Sequence, residues 1–151
     1  MNALLLALAM PLLLVAGATE DAGPNRAGFD VTVIEAKKEP GPVDPKLEHL
    51  RDVLDRSFKG YKSFRQVHRD KFSVQEGKTH SSTLAASQKL SIGLLAGGAD
   101  GFLKVRLETG DLKTTIDVTD GGLFFQAARG PSGAALVIAI RASRIKGART
   151  R

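Results

Sequence analysis

Three histidines, a Ser81-Ser82-Thr83 run, four clustered carboxylates and two basic stretches are the groups in this chain able to carry chemistry. Each asks for a partner set. A metal site needs ligands at short fixed spacings, with His or Cys dominant. His49, His68 and His80 show no HxxxH spacing, and the chain has no Cys. They read as solvated surface histidines. A serine nucleophile of the elbow type needs Gly on both sides, which Ser81-Ser82-Thr83 lacks. A phosphate-cradling loop must lead into a helix; the Gly-rich stretch 93–101 lies between strand-like segments. Glu108, Asp111, Asp117 and Asp120 cluster in sequence, but a glycosidase pair must face across a cleft. Alternation puts Glu108 and Asp117 on outward strand positions and Asp111 and Asp120 in turns. The expectation is a chain that is not an enzyme and holds no cofactor or metal.

The basic residues are the stronger signal. The formal charge is +6, and Arg141, Arg144, Lys146, Arg149 and Arg151 place five positive charges in the last eleven residues. A second stretch holds Lys59, Lys62, Arg65, Arg69 and Lys71, opposed only by Asp70. Such patches suit an anionic polysaccharide, a cell wall or an acidic protein; otherwise they are a solvated face and a frayed end. Nucleic acid is not expected. Single-strand binding stacks bases on exposed aromatics, and only Tyr61 and Phe64 fall in the basic stretch.

The N-terminus sets the compartment. Ala3 to Ala16 is almost entirely Leu and Ala, and it ends in Ala16-Gly17-Ala18. This is the apolar run and small-x-small site of a secretory signal peptide. The run is shorter than the ~20 residues a spanning helix needs, and Pro11 interrupts it. Residues 1–18 are therefore expected to be removed, leaving a periplasmic protein without a stable membrane anchor. With no Cys, neither a lipid anchor by the lipoprotein route nor a disulfide framework is available. Neither Asn2-Ala3-Leu4 nor Asn25-Arg26-Ala27 is a glycosylation acceptor. The Ala, Gly and Leu usage matches bacterial proteins from GC-rich genomes.

The remaining length suits one domain with one core, built without Trp from Leu, Ile, Val, Ala and Phe. Residues 19–28 are polar and read as a disordered leader. Phe29 to Val33 alternates as a half-buried strand. Pro40, Pro42 and Pro45 make residues 37–45 a linker. Asp44 and Pro45 then open an amphipathic helix over 45–59. Leu47, Leu50, Leu54, Phe58 and Tyr61 form its apolar stripe, with Arg51–Asp55 and Asp52–Arg56 as i,i+4 pairs. Gly60 is placed to end it. Beyond Tyr61 only strands are expected: 64–74 with a bulge near 67–71, then 82–86, 88–96, 102–108, 112–118, 123–128 and 134–142. Asp120-Gly121-Gly122 reads as a hairpin turn. Leu136 to Ile140 is apolar on both faces, so its strand should be central and covered twice. The fold class expected is mainly β (α+β): an antiparallel β-sandwich or partly open barrel of seven to eight strands, with the helix on one face. The domain would span 29–142, followed by a basic flexible tail over 143–151.

The helix sequence Asp44-Pro-Lys-Leu-Glu-His-Leu-Arg-Asp-Val-Leu, the opening Tyr61-Lys-Ser-Phe-Arg65, and the ending Asp120-Gly-Gly-Leu-Phe-Phe with Arg129-Gly-Pro-Ser-Gly-Ala-Ala-Leu-Val-Ile-Ala-Ile together resemble small exported proteins of myxobacteria and related deltaproteobacteria. The resemblance covers residues 29–142. It implies a periplasmic component of an envelope-spanning machine, the gliding-motility apparatus among them. The Asp120-Gly-Gly turn and the strand after it are also similar to wall strands of outer-membrane secretins. These motifs are structural and carry no catalytic residue over. The expected function is a structural or adaptor component of a cell-envelope assembly, contacting other envelope proteins. The alternative is a binding protein for an anionic cell-surface or cell-wall polymer.

Overall fold

The computed structural model describes residues 25–84, 88–130 and 133–146. The expected signal peptide, Arg149 and Arg151 lie outside them. Among the described residues, eight antiparallel strands form two four-stranded sheets. Strand β1 (Arg26–Lys37) is followed by a 3-10 helix (Pro45–Leu50), helix α1 (Arg51–Ser57) and β2 (Ser63–Gln75). Then come β3 (Thr79–Thr83), β4 (Lys89–Leu95), β5 (Phe102–Thr109), β6 (Leu112–Thr119), β7 (Leu123–Arg129) and β8 (Ala135–Ile145). The first sheet runs β2-β1-β8-β7 and the second β3-β4-β5-β6. The chain thus travels once around the molecule, and its last strand pairs with its first. The ladders break at two seams, β2/β3 and β6/β7, which makes a sandwich of what would otherwise be a barrel.

Alternation along the strands fills the space between the sheets. Phe29, Val31 and Val33 of β1 and Leu136, Ile138 and Ile140 of β8 meet Leu90, Ile92, Leu103, Val105 and Leu107 from the facing sheet. A second core lies on the opposite face of the first sheet, where Ile34, Ala36, Val137 and Ala139 are covered by Leu47, Leu50, Leu54 and Phe64. Leu136 to Ile140 is accordingly buried throughout, sandwiched between the facing sheet and the helical segment. That placement answers its double-sided apolar sequence. The bulge falls at Val67, where the β1–β2 register shifts between Val33↔His68 and Ile34↔Gln66.

Several boundaries differ from the sequence expectation. The expected leader 19–28 loses its end to β1, because Arg26, Ala27 and Gly28 pair with both β2 and β8. The expected tail loses its start to β8: Ser143, Arg144 and Ile145 pair with Gly28, Ala27 and Arg26. The same ladder accounts for both, since neither segment has a strong alternating pattern alone. The expected helix 45–59 is a six-residue 3-10 turn followed by a seven-residue α-helix ending at Ser57. Asp44 does cap it, its Oδ1 accepting from Lys46 N–H at 3.0 Å, while Oδ2 accepts from Gln66 N–H at 3.2 Å. This second bond ties the helix start to β2. The i,i+4 pairs do not form: Arg51 lies 3.4 Å from Glu48, and Arg56 Nε donates to the Asp52 carbonyl.

Asp120-Gly121-Gly122 is not a hairpin turn within one sheet. It carries the chain from β6 in one sheet to β7 in the other. Gly121 has φ +79° and donates its N–H to the Ala142 carbonyl at 2.8 Å, and Ala142 N–H returns a bond to Gly122 O. The turn is drawn onto β8, so its exit strand cannot fold back beside β6. The two-residue hairpin is instead Gly110-Asp111, between the paired Thr109 and Leu112, with Gly110 at φ +56°.

Candidate functional site: a basic face on the β2-β1-β8 sheet

The helical segment covers only one half of the outer face of the first sheet. The other half is open, and there the two basic stretches meet. Register places Lys71 of β2 and Arg141 of β8 on either side of Asp30 of β1. Arg69 stands one row along, beside Thr32. Residues far apart in sequence become lateral neighbours because an antiparallel sheet sets strands ~4.8 Å apart.

Asp30 organises the cations. Its two oxygens accept from Arg69 Nε at 3.0 Å and Nη2 at 2.7 Å, a bidentate pair. Lys71 Nζ lies 3.8 Å from Oδ2. The Arg69 hydrogen bonds hold the Asp30 carboxyl below its ordinary range against the opposing effect of partial burial, and the charges of Arg69, Lys71 and Arg141 act in the same direction. The reciprocal bond raises Arg69. One carboxylate therefore faces three cations, and Lys71 remains 66% exposed. Arg141 Nη1 donates to the Gly121 carbonyl at 3.1 Å, which steadies its guanidinium over the sheet.

The other expected contact residues are scattered. Arg65 pairs with Glu35 at 3.1 Å at the opposite end of β2, beside a cleft lined by Lys37, Lys38 and Glu39. Burial raises the Glu35 carboxyl, but the Arg65 bond and the charges of Arg65 and Lys37 outweigh it, so its net position is lowered. Lys59 and Lys62 are exposed around the exit from the helix. Arg144 is structural: its N–H donates to Asp120 Oδ1 at 2.7 Å, and its Nη2 donates to the Phe102 carbonyl at 3.0 Å. Lys146 is exposed just after β8.

The β2/β3 seam holds a polar cluster that the sequence expectations did not include. Asp70 Oδ2 accepts a short hydrogen bond from Ser82 Oγ and lies 3.4 Å from His80 Nε2. The Ser82 bond is the main reason that the Asp70 carboxyl is lowered; partial burial opposes it, and the His80 bond adds to the lowering. The His80 ring stacks on Phe72 at 3.8 Å, and Phe72 on Phe29 at 5.6 Å. His80 is thus a histidine packed on one ring face, with 37% of its side chain still exposed, so it is more enclosed than the solvated one expected; His49 is exposed as expected. Ser, His and Asp meet here, but both donors converge on one carboxylate oxygen. A hydrolytic triad needs the histidine between the acid and the nucleophile, so this cluster is a clasp between sheets. The signal available in sequence was the period-2 placement of Asp70 with Phe72 and of His80 with Ser82, which puts polar groups on inward positions.

The clustered carboxylates separate. Glu108 pairs laterally with Lys113 and Asp117 with Lys104, on different rows of the second sheet. Asp111 lies in the β5–β6 turn and Asp120 caps Arg144 N–H. Among the described residues, no three His, Asp or Glu side chains are grouped to hold a metal ion, and no helix is long and apolar enough to cross a membrane. No known protein family matches this chain, and neither the curated proteins nor the solved structures contain a significant match to it.

Proposed function

We propose that this chain is a non-enzymatic module of the bacterial cell envelope, exported to the periplasm, which serves a multiprotein assembly as a structural or adaptor component by holding an acidic partner. The observation that carries this reading is the meeting of Arg69, Lys71 and Arg141 around the single carboxylate of Asp30 on an open sheet face. A sheet is a rigid platform, so the cations keep their spacing without a partner to order them. Export is supported by the apolar run ending in Ala16-Gly17-Ala18. The resemblance to myxobacterial exported proteins extends the reading to motility machinery.

Fractionation with N-terminal sequencing tests export: a periplasmic form starting near Thr19 is expected, and an intact Met1 form held in the inner membrane would overturn it. Crosslinking in cells followed by pulldown tests the adaptor role. Envelope proteins should be recovered in a salt-sensitive manner; a chain that stays alone across growth conditions refutes it. The second reading, an anionic-polymer binding protein, is favoured by the openness of the basic face, which has no walls to enclose a small ligand.

A further inference from the structure

We infer that the open half of the β2-β1-β8 face is a docking surface for an anionic polysaccharide, with Lys71, Arg141 and Arg26 as the contacts and Asp30 as an internal competitor that limits affinity. This rests on the polymer-binding reading above and assigns its site.

The surface can be read row by row from the register. Lys71, Asp30 and Arg141 form one row. The next is Ser73, Gly28 and Ser143, and the one after is Gln75, Arg26 and Ile145. Ala27, Phe29 and Val31 point into the core, so Gly28, Asp30 and Arg26 share the outward face. The middle row has no large side chain. It is a shallow strip with a hydroxyl residue at each end and Gly28 between them, where the Ile145 side chain of the next row packs over the backbone, and it is edged by Lys71 and Arg141 on one side and Arg26 on the other. All three cations are exposed.

The ligand class follows from this layout. Strands lie ~4.8 Å apart and rows ~6.8 Å apart, so the cations are spread over roughly 10 by 14 Å. One small anion cannot reach them all. A chain with repeated anionic groups can, and it gains from several weak contacts made together. The hydroxyls of Ser73 and Ser143 offer hydrogen bonds to sugar hydroxyls. The same cations serve an acidic protein segment under the adaptor reading; the two serine hydroxyls are what favour a sugar chain, and the poly-glutamate arm of the test separates the two.

Asp30 sets the strength. Its bidentate bond to Arg69 keeps that guanidinium committed, and it attracts Lys71 from 3.8 Å. A polymer anion must compete with it for Lys71 and is repelled by it. Binding should therefore be reversible and salt-sensitive, because exposed charges are screened over ~8 Å at physiological ionic strength.

The test uses the mature protein with polygalacturonate as the probe and neutral dextran as the control. Polygalacturonate binding that weakens with salt, with no dextran binding, supports the proposal. The double variant Lys71→Glu/Arg141→Glu should weaken binding roughly tenfold or more, and Asp30→Asn should tighten it severalfold. Lys104→Glu/Arg106→Glu makes the same charge change on the facing sheet and should weaken it far less. Equal loss in both double variants overturns the site and leaves only a general charge effect. No tightening in Asp30→Asn overturns the competitor role. Tighter binding to poly-glutamate or to anionic lipid vesicles than to polygalacturonate overturns the polysaccharide assignment. Failure of the wild type to bind any of these overturns the polymer-binding reading itself. Amide shifts of Gly28, Ser73 and Ser143 on titration map the site independently of any variant; shifts confined elsewhere refute it.

Discussion

Leu54→Ala probes whether the helical segment is held by its apolar stripe. Leu54 is fully buried against Ile34, Ala36, Phe64, Val137 and Ala139 in the outer core. The substitution removes three carbons, a transfer loss of about 2.4 kcal/mol at ~0.8 kcal/mol per methylene. A residual cavity adds to this, and Leu→Ala changes at buried sites run ~2 to 5 kcal/mol in all. Phe58 and Tyr61 sit at the rim of this core and are only partly buried, so they can move in and fill some of the space. The expected loss is therefore about 3 kcal/mol, near the low end. Urea unfolding should show a lower midpoint with an unchanged slope, since the area exposed on unfolding barely changes. Val53→Ala on the same helix is the internal control. Val53 is only half-buried, and the substitution should cost less than about 1 kcal/mol. Equal midpoints for wild type and Leu54→Ala, or equal losses for both variants, would show that the stripe does not hold the helix to the sheet.

Other consequences can be checked in the same way. Thr109 Oγ1 is buried without a hydrogen-bond partner, so Thr109→Val should raise stability by about 1 kcal/mol; a loss in urea unfolding would mean that the hydroxyl has a partner after all. Asp30, Glu35 and Asp70 are all lowered in the folded state. Their contributions are therefore complete above the unfolded values of ~4 and are lost as pH falls through the folded ones. The melting temperature should stay flat from neutral pH to about 5 and fall below that, less steeply in Asp70→Asn; an unchanged acid slope in that variant refutes the assignment. Ser82→Ala removes the donor that joins β3 to Asp70. It should cost about 1.5 kcal/mol, because Ser82 is buried and its acceptor is a charged carboxylate that stays partly exposed, with faster hydrogen exchange confined to β3; uniform exchange changes would argue against a local clasp. Ending the chain after Ala142 removes Ser143 to Ile145 from the β1 ladder and Arg144 from its bonds to Asp120 and Phe102. Circular dichroism should show a marked fall in thermal stability, and an unaltered melting curve would mean that the end of β8 adds nothing.

How much of this was legible in the chain itself can be judged residue by residue. Period-2 alternation located β4, β5 and β6, and Leu90, Ile92, Leu94, Leu103, Val105 and Leu107 are all buried as that alternation requires. The uninterrupted run Leu136 to Ile140 announced a strand covered on both faces, and it has a core on each side. Asp44 and Pro45 marked a helix start, which the Asp44 bond to Lys46 bears out. These are local signals: a side chain's direction along a strand or helix depends on its immediate neighbours. The strand ends at Arg26 and Ile145 were not legible, because each segment is extended only by pairing with the other. The route taken by Asp120-Gly121-Gly122 was likewise not legible, and the hairpin expected there does not form. Its glycines permit a turn in either direction, and only the bonds to Ala142 and Gly122 commit the chain to the other sheet. The candidate site shows the same division. The charges of Arg69, Lys71 and Arg141 belong to the sequence, as does the net positive balance they create. Their meeting around Asp30 belongs to the tertiary structure, because register across three strands is set by which hydrophobic rows fill the core, and no one segment contains that information.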